Sequence, residues 1–243
     1  GAVGVTSDTF ERAEALFEAG AENPMAEPQA WHRVEAATDD VEWYLEFYCE
    51  PKDYFPKKYN TNPVHSEVLE AVEIVPAGKA LDLGCGQGRN ALFLAQQGFD
   101  VTAVDQNELA LEILQSIVAE EDLEMPVGLY DINAAALTQN YDFIVSTVVL
   151  MFLEADRIPA IIRNMQEHTN PGGYNLIVCA MDTEDYPCQM PFSFTFKEGE
   201  LAEYYKDWEL VKYNENPGHL HRRDKNGNRI QLRFATMLAK KVR

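Results

Sequence analysis

The chain has 243 residues, enough for one large domain and a small appendage. Forty acidic residues against twenty basic ones give a net charge of −20, and so acidic a surface argues against binding nucleic acid phosphates. No apolar run approaches the ~20 residues of a membrane span, no secretory signal is recognised, and the four cysteines show no metal-ligand spacing. We therefore expect a cytoplasmic protein with free thiols, no metal and no membrane partner.

Residues 1–50 differ in character from the rest of the chain. Asp8, Glu11 and an apolar pattern that ends at Gly20 predict a helix over residues 10–19. Residues 31–35 and 41–48 alternate in character and predict two strands. Because two strands alone bury little apolar surface, this segment is interpreted as a partial small β-domain that precedes a main domain over residues 51–243.

From residue 51 onward, predicted strands and helices alternate. Strands are predicted at residues 80–83, 101–105, 126–132, 141–146 and 174–180, and helices at residues 64–75, 89–97, 107–120 and 155–168. This alternation predicts a parallel sheet covered on both faces. A helix near residues 198–206 precedes strands around 209–213 and 231–238, which leave no room for a crossover helix and should pair antiparallel. The fold class is therefore α/β and Rossmann-like, with seven strands and an antiparallel last strand.

Residues 79–90, Lys-Ala-Leu-Asp-Leu-Gly-Cys-Gly-Gln-Gly-Arg-Asn, carry the most information. They predict a buried strand that enters a glycine turn and then a helix. Gly84, Gly86 and Gly88 have no Cβ, so a ligand can approach the bare backbone. Asp105 ends the next strand, about 20 residues after the glycines, which is the sequence spacing at which an acid can bind ribose hydroxyls. These features predict a site for a nucleoside cofactor.

The spacing of the glycines distinguishes between two cofactor classes. A dinucleotide fingerprint is G-x-G-x-x-G, whereas here the spacing is G-x-G-x-G and Arg89 stands where the third glycine would be. Asp82, before the first glycine, disfavours a pyrophosphate and suits an amino group. S-adenosylmethionine has a ribose, an adenine and an α-amino acid end but no phosphate, so it is the expected cofactor, with S-adenosylhomocysteine as product. An oxidoreductase is disfavoured, and a glycine turn without any ligand is the plainer alternative.

Several segments resemble known methyltransferases. Residues 82–88, 105, 130–132, 141–144 and 171–173 resemble, in order, the motifs of class I S-adenosylmethionine-dependent methyltransferases. More specific runs are similar to the tellurite methyltransferase (tellurite-resistance) family: residues 58–59, 65–72, 146–154, 171–178, 180–188, 196–201 and 226–239. This likeness covers about residues 53–241, and residues 29–49 resemble the end of a small β-domain in longer members.

The resemblance implies roles for residues around the adenosine half of the cofactor. Asp105 would bind the ribose hydroxyls, and Gln106 would flank the ribose and the adenine. Asp131 and Ile132 would lie against the adenine. The physical rule agrees, because ligands of open α/β sheets bind outside the carboxyl ends of the strands.

At the methionine end, the resemblance implies Asp82 and Gly84 as contacts. Arg89 or Tyr59 would close over the carboxylate of the cofactor. Thr147 is expected where the fourth strand opens onto the site.

A basic segment, residues 219–233, stands out in this acidic chain, with five Lys or Arg residues against Asp224 as its one acid. Tellurite is an oxyanion, and charge-assisted hydrogen bonds, best from Arg, would bind it. The resemblance implies His221, Arg222 and Arg229 as oxyanion-binding and catalytic residues. His221 would take a proton from protonated tellurite or orient it.

The geometry of this segment is left open by the sequence. If Asn226 and Gly227 form a two-residue hairpin turn, Arg222 and Arg229 share one face with Asp224, and His221 lies on the other. A bulge or an irregular loop through residues 219–228 would instead bring His221 round to the arginines.

The expected function is tellurite detoxification by in-line methyl transfer from S-adenosylmethionine, with selenite as another acceptor, in a monomer or homodimer. One alternative is a methyltransferase for a different small thiol, thiopurine or metalloid, with an aromatic pocket lined by Phe192, Phe194 and Phe196, although alternating strand residues are more typical of a core. Another alternative is a non-enzymatic module that binds S-adenosylmethionine.

Overall fold

The computed structural model describes residues 3–5, 29–35, 41–47 and 50–243. The chain divides into two compact units, Gly1–Tyr54 and Phe55–Arg243. The division falls shortly after the boundary predicted at residue 50. No helix in the described ranges has both the length and the apolar character of a membrane span.

The described residues of the first unit include three antiparallel strands in the order β1-β3-β2. They are β1 (Val3–Val5), β2 (Gln29–Glu35) and β3 (Val41–Phe47). The two strands predicted from alternation are thus confirmed, and β1 is an addition. The helix predicted over residues 10–19 lies outside the described residues.

The following helices and strands make up the rest of the described chain. The helices are α1 (Pro51–Tyr59), α2 (Ser66–Ala71), α3 (Arg89–Gln96), α4 (Glu108–Glu120), α5 (Ile158–Glu167) and α6 (Glu200–Tyr204). The strands are β4 (Lys79–Leu83), β5 (Asp100–Asp105), β6 (Val127–Leu129), β7 (Tyr141–Thr147), β8 (Thr169–Ala180), β9 (Glu209–Asn214), β10 (Pro217–Arg223) and β11 (Arg229–Lys240).

These eight strands form one sheet in the order β10-β11-β8-β7-β4-β5-β6, with β9 also paired to β11. Strands β4 to β8 run parallel, and β11 is antiparallel to β8 and to β9. The predicted α/β class, the parallel sheet and the antiparallel last strand are confirmed. β10 is an eighth strand, in a segment for which the sequence left a hairpin and an irregular loop open.

Several predicted boundaries differ from the structure. β8 begins at Thr169 and includes Gly172 and Gly173, which lie before the strand predicted over residues 174–180. Gly173 is needed there, because a Cβ would lie 2.8 Å from the backbone oxygens of Asn170 and Asp142. β6 ends at Leu129, before the residues 130–132 that were expected to continue it, and α2 is shorter than the predicted helix over residues 64–75.

The strand order of the sheet reverses at β4, which pairs with β5 on one side and with β7 on the other. β5 follows β4 along the chain, whereas β7 comes later, so this pair is the topological switch point of the sheet. A crevice forms outside the carboxyl ends of strands at such a point. Apolar side chains of β4 and β7, including Leu81, Phe143 and Ile144, are fully buried and hold this edge rigidly.

Candidate active site

The glycine turn after β4 is fixed by hydrogen bonds to the neighbouring strand. The backbone N–H groups of Gly84 and Cys85 both donate to the carbonyl oxygen of Val104 at 2.9 Å. All three glycines have positive φ angles, 85° at Gly84, 53° at Gly86 and 89° at Gly88. This left-handed conformation is open to glycine at little cost, so the chain can turn sharply from the strand into α3.

The three glycines serve two different purposes. A Cβ at Gly84 would lie 2.6 Å from the methyl groups of Val149, and a Cβ at Gly88 would lie 2.4 Å from a methyl group of Leu114. These two glycines permit close packing. A Cβ at Gly86 would meet nothing within 4 Å, so the backbone at Gly86 faces open space that a ligand can fill.

Asp105, at the end of β5, is held beside this turn. Its Oδ2 accepts a hydrogen bond from the backbone N–H of Gly86 at 2.8 Å, and its Oδ1 accepts one from Asn107 at 2.9 Å. Asn107 in turn caps α4 by accepting from the N–H of Ala110. Each carboxylate oxygen has a second lone pair, so the group is oriented and can still accept hydrogen bonds from a ligand.

The residues expected around an adenine are brought to the same corner. The N–H of Tyr130 donates to the carbonyl oxygen of Asp105 at 2.9 Å, which places the following residues next to that strand end. Asp131 is exposed and caps a short 3-10 turn by accepting from Asn133 at 3.0 Å, while Ile132 is buried. Gln106 is exposed directly after Asp105.

Asp82 is a buried carboxylate on β4 with an incomplete set of partners. It is 2% exposed, and its Oδ2 has no hydrogen-bond partner among the described residues. Burial raises the pKa of Asp82 to about 7, against the opposing effects of the Ala91 N–H and the Arg89 charge. An unpartnered carboxylate oxygen at this edge suits a cationic donor such as an amino group.

Thr147 ends β7 inside a small buried network. Its Oγ1 accepts a hydrogen bond from Nδ2 of Asn90 at 3.0 Å, and Oδ1 of Asn90 accepts from the backbone N–H of His65 at 3.0 Å. The next residue, Val148, has φ of 53°, a strained conformation for a β-branched residue. The network therefore joins the loop before α2, the first turn of α3 and the end of β7.

A cleft of about 1080 Å³ opens beside this edge of the sheet. Cationic and imidazole side chains line part of it: His65, Arg89, Lys212, His219, His221 and Arg222. Apolar side chains line another part: Val148, Met151, Phe152, Met190, Phe192 and Phe234. The cleft thus combines donors for an anion with an apolar wall.

The β10–β11 hairpin is irregular, which settles the question that the sequence left open. His219 pairs with Gln231 and Arg223 with Arg229, and the register shifts between these pairs. Residues 220–222 on β10 therefore face the single residue 230 on β11. This bulge bends β10, and both His221 and Arg222 line the cleft.

Arg229 does not line the cleft with His221 and Arg222. It is exposed opposite Arg223 and is not among the described residues that line the cleft. The regular hairpin that would have placed Arg222, Asp224 and Arg229 on one face does not form. Oδ1 of Asp224 instead accepts from the N–H groups of the turn, at residues 226 and 228.

The hydroxyl of Tyr59 is bound to a residue that was not expected at the site. Its hydroxyl donates to Oε1 of Glu121 at 2.5 Å, and burial, followed by this bond, raises the pKa of Tyr59 to about 12. Glu121 follows α4 at the end remote from Asn107, and a helix of that length spans about 20 Å. This bond holds the Tyr59 hydroxyl near that end of α4, and Tyr59 is not among the described residues that line the cleft.

Asn90, His65 and Lys212 belong to the site but were missed from the sequence. Lys212 bridges Glu67 and Glu70 at 2.7 and 2.5 Å, and thereby joins β9 to α2 on one side of the cleft. The sequence offered one signal for Asn90, which is a polar residue in the first turn of a helix and is followed by apolar residues. Lys212 gave none, because its partners are far away in the chain.

The strand order, the glycine turn that abuts Asp105 and the crevice at the switch point define a class I S-adenosylmethionine-dependent methyltransferase. A family model described as tellurite resistance protein TehB matches residues 47–238, and one described as TehB-like domain matches residues 2–45. The chain belongs to the TehB tellurite resistance family. The expected cofactor, S-adenosylmethionine, agrees with this membership.

Individual relatives are similar over most of the chain. A probable S-adenosyl-L-methionine-dependent methyltransferase TehB of Haemophilus influenzae is 59% identical over 229 residues, which are 94% of this chain and 80% of the relative. A protein named Hemagglutinin 1 from Eikenella corrodens is 58% identical over 214 residues, 88% of this chain and 71% of that one. The crystal structure of TehB from Haemophilus influenzae superposes with a TM-score of 0.80 at 61% identity, covering 89% of this chain and 76% of the other.

Proposed function

We propose that this protein transfers the methyl group of S-adenosylmethionine to tellurite, with selenite as another acceptor. The observation that carries the proposal is the basic wall of the cleft. In a chain of net charge −20, Arg89, His221 and Arg222 converge beside the cofactor edge of the sheet. Membership of the tellurite resistance family supports the same acceptor.

The cofactor is proposed to lie across the carboxyl ends of β4, β5 and β6. Asp105 would accept the ribose hydroxyls with the free lone pairs of its two oxygens. Asp131 and Ile132 would contact the adenine. Oδ2 of Asp82, which is buried and unpartnered within the described residues, would accept from the amino group, and Gly84 would lie close to the methionine end.

The other three contacts expected near the methionine end differ in their place in the proposed site. Arg89 lines the cleft, so it is kept as the partner of the carboxylate. Tyr59 is left out of the proposed site because its hydroxyl is engaged by Glu121. Thr147 is assigned a positioning role through Asn90, since its hydroxyl is already an acceptor there.

Methyl transfer from a sulfonium is an in-line displacement whose reactivity the cofactor supplies. The lone pair on tellurium would form the new bond to the methyl carbon while the carbon–sulfur bond pair leaves with sulfur. The protein would align the acceptor behind the methyl group. Arg222 would hold tellurite oxygens by charge-assisted hydrogen bonds, and His221 would orient the anion or take its proton.

The test is S-adenosylhomocysteine formation by the full chain with tellurite, with selenite, with a simple thiol and with no acceptor. Arg222→Ala should lose tellurite-dependent turnover while its affinity for S-adenosylhomocysteine is unchanged. Arg223→Ala is the matched control, because its guanidinium donates to the carbonyl oxygen of Gly227 at the hairpin turn. Turnover that survives Arg222→Ala would place the anion site elsewhere.

Arg229→Ala tests the role implied by the family resemblance against the position of Arg229 in the structure. The family resemblance implies a loss of turnover, whereas the position of Arg229 away from the cleft implies a smaller effect than that of Arg222→Ala. A KM for tellurite that rises equally in both variants would mean that the hairpin closes over the substrate and brings Arg229 in.

The apolar wall favours a second class of acceptor, a thiol or another molecule with an apolar part. Phe152 is 64% exposed and packs edge-on against Phe192, with ring centroids 5.5 Å apart. Phe196 is fully buried and belongs to the core, but residues 192–196 form no strand beyond the isolated bridge of Phe196 to Met181. A higher kcat/KM for the thiol than for tellurite would favour this alternative.

We also propose a cytoplasmic location. Cys85, Cys179 and Cys188 are all free thiols, which are usual in a reducing compartment. The proposed substrate is a small anion. The protein is proposed to be a monomer or a homodimer, which light scattering would distinguish.

A further inference from the structure

His65 is held in one orientation at the start of α2. Its Nδ1 accepts a hydrogen bond from the backbone N–H of Glu67 at 3.1 Å, which caps the helix. Its own backbone N–H donates to Asn90 at 3.0 Å. Because Nδ1 is an acceptor, the neutral ring must carry its proton on Nε2.

The same ring lines the cleft. Nδ1 is turned toward the first turn of α2, so Nε2 is the ring nitrogen left to face the cleft that His65 lines. Burial and the positive charge of Arg89 lower the pKa of His65 to about 4. The ring is therefore a neutral N–H donor throughout the physiological pH range.

The surroundings of His65 indicate a role beyond capping the helix. Asn90 ties it to Thr147 at the end of β7, and so to the edge of the sheet where the cofactor is expected. Lys212, on the opposite side of the loop, has its charge engaged by Glu67 and Glu70. An unneutralised donor beside Arg89 is what an anionic oxygen in the cleft requires.

We propose that His65 binds an anionic oxygen in the cleft through its Nε2–H, as a donor that never releases its proton. This inference rests on the proposed function and deepens it. The oxygen belongs either to the acceptor oxyanion or to the carboxylate of S-adenosylmethionine. In both cases His65 positions the ligand and takes no part in proton transfer.

The test variant is His65→Asn in the full chain. Asn is a good N-cap, so its side-chain oxygen keeps the hydrogen bond to the N–H at position 67, while its shorter amide removes the donor from the position of Nε2. The matched control is His168→Asn, at the end of α5, whose imidazole bonds to Asn164 and does not line the cleft. The readouts are KM for tellurite, KM for S-adenosylmethionine and the affinity for S-adenosylhomocysteine.

Loss of one hydrogen bond to a charged group should raise the affected constant about ten- to hundredfold. A rise in KM for tellurite alone assigns the oxygen to the acceptor. A rise in KM for S-adenosylmethionine, with weaker binding of S-adenosylhomocysteine, assigns it to the cofactor. Unchanged values for all three constants overturn the proposal and leave His65 as a helix cap.

A second measurement keeps the inference testable if His65→Asn folds poorly. In wild-type protein with 15N-labelled histidine, the Nε2–H tautomer of His65 should persist from pH 6 to 8. Its Nε2 resonance should shift when S-adenosylhomocysteine or tellurite is added, and a resonance that moves with neither ligand contradicts the proposal.

The outcomes for His65 and for the proposed function are distinguishable. If wild-type protein forms no S-adenosylhomocysteine with tellurite, the proposal that tellurite is the acceptor fails. The affinities of wild-type protein and His65→Asn for S-adenosylhomocysteine still decide the role of His65. If wild-type turnover is normal and His65→Asn matches it, this inference alone fails.

Discussion

The backbone N–H of Gly86 donates a hydrogen bond to Oδ2 of Asp105 across 2.8 Å. The glycine turn of one strand and the acidic end of the next are thereby a single unit before any ligand arrives. The second oxygen of Asp105 is held by Asn107. Such preorganisation lowers the cost of ordering the site when the cofactor binds.

Asp105→Asn should weaken binding of S-adenosylhomocysteine about tenfold or more, because hydrogen bonds to charged groups contribute about 1.5–3 kcal/mol each. An amide NH2 would also face one of the two N–H groups that now donate to the carboxylate. Isothermal titration measures the affinity. Asp100→Asn is the control, since Asp100 is exposed at the other end of the same strand, and a similar loss in both variants would contradict a direct role for Asp105.

Asp82 should make the stability of the ligand-free protein fall as pH rises. Its folded pKa is about 7, against an ordinary value of 3.8. Between these values the folded state binds more protons than the unfolded state, so stability is lost as pH rises toward 7 and the loss is complete above it. Thermal unfolding from pH 5 to 8 measures this slope, which Asp82→Asn should flatten.

Cofactor binding should show the opposite pH dependence. The cationic amino group of S-adenosylhomocysteine favours the ionised form of Asp82, so its affinity should rise from pH 6 to 8. Asp82→Asn should bind more weakly at pH 8 and should lose this dependence. An affinity of wild-type protein that is flat over the same pH range would show that Asp82 does not bind the amino group.

Gly86→Ala and Gly88→Ala should separate binding from folding. Gly88→Ala would press a Cβ against Leu114 and should destabilise the fold, whereas Gly86→Ala has open space and should cost about 1–2 kcal/mol for its left-handed backbone. The Cβ at position 86 would still occupy space proposed for the cofactor. We therefore expect Gly86→Ala to fold and to bind S-adenosylhomocysteine poorly, as measured by thermal unfolding and titration of the same sample.

The sequence predicted those features that depend on local pattern. Alternating apolar strands and helices dictated the parallel sheet, and the glycines with Asp105 marked the cofactor edge. Features set by distant packing were out of reach. Tyr59 was assigned to the methionine end by resemblance, and nothing local reveals its bond to Glu121, 62 residues away.

The basic hairpin shows the same limit. Its residues were recognisable from composition, but their faces depend on a register shift between His219 and Arg223. A register shift changes which side chains point into the cleft. The sequence alone could not show that Arg222 lines the cleft and that Arg229 does not.

The hydrogen bond from Asn90 to Thr147 should couple the fold to the cofactor site. Thr147→Val keeps the shape of the side chain but leaves the buried amide of Asn90 without its acceptor, which should cost about 1–3 kcal/mol. Thr147→Ser, the matched control, retains the hydroxyl and should lose much less. Denaturant unfolding measures both free energies.

A double-mutant cycle identifies the cause of that loss. In an Asn90→Ala background the amide is absent, so Thr147→Val should cost little more, and the coupling energy should be clearly non-zero. Because Asn90 also holds the backbone of His65, Thr147→Val should weaken ligand binding as well as stability. Additive effects of the two substitutions would mean that Thr147 contributes by packing alone, and that the loop before α2 is positioned independently of β7.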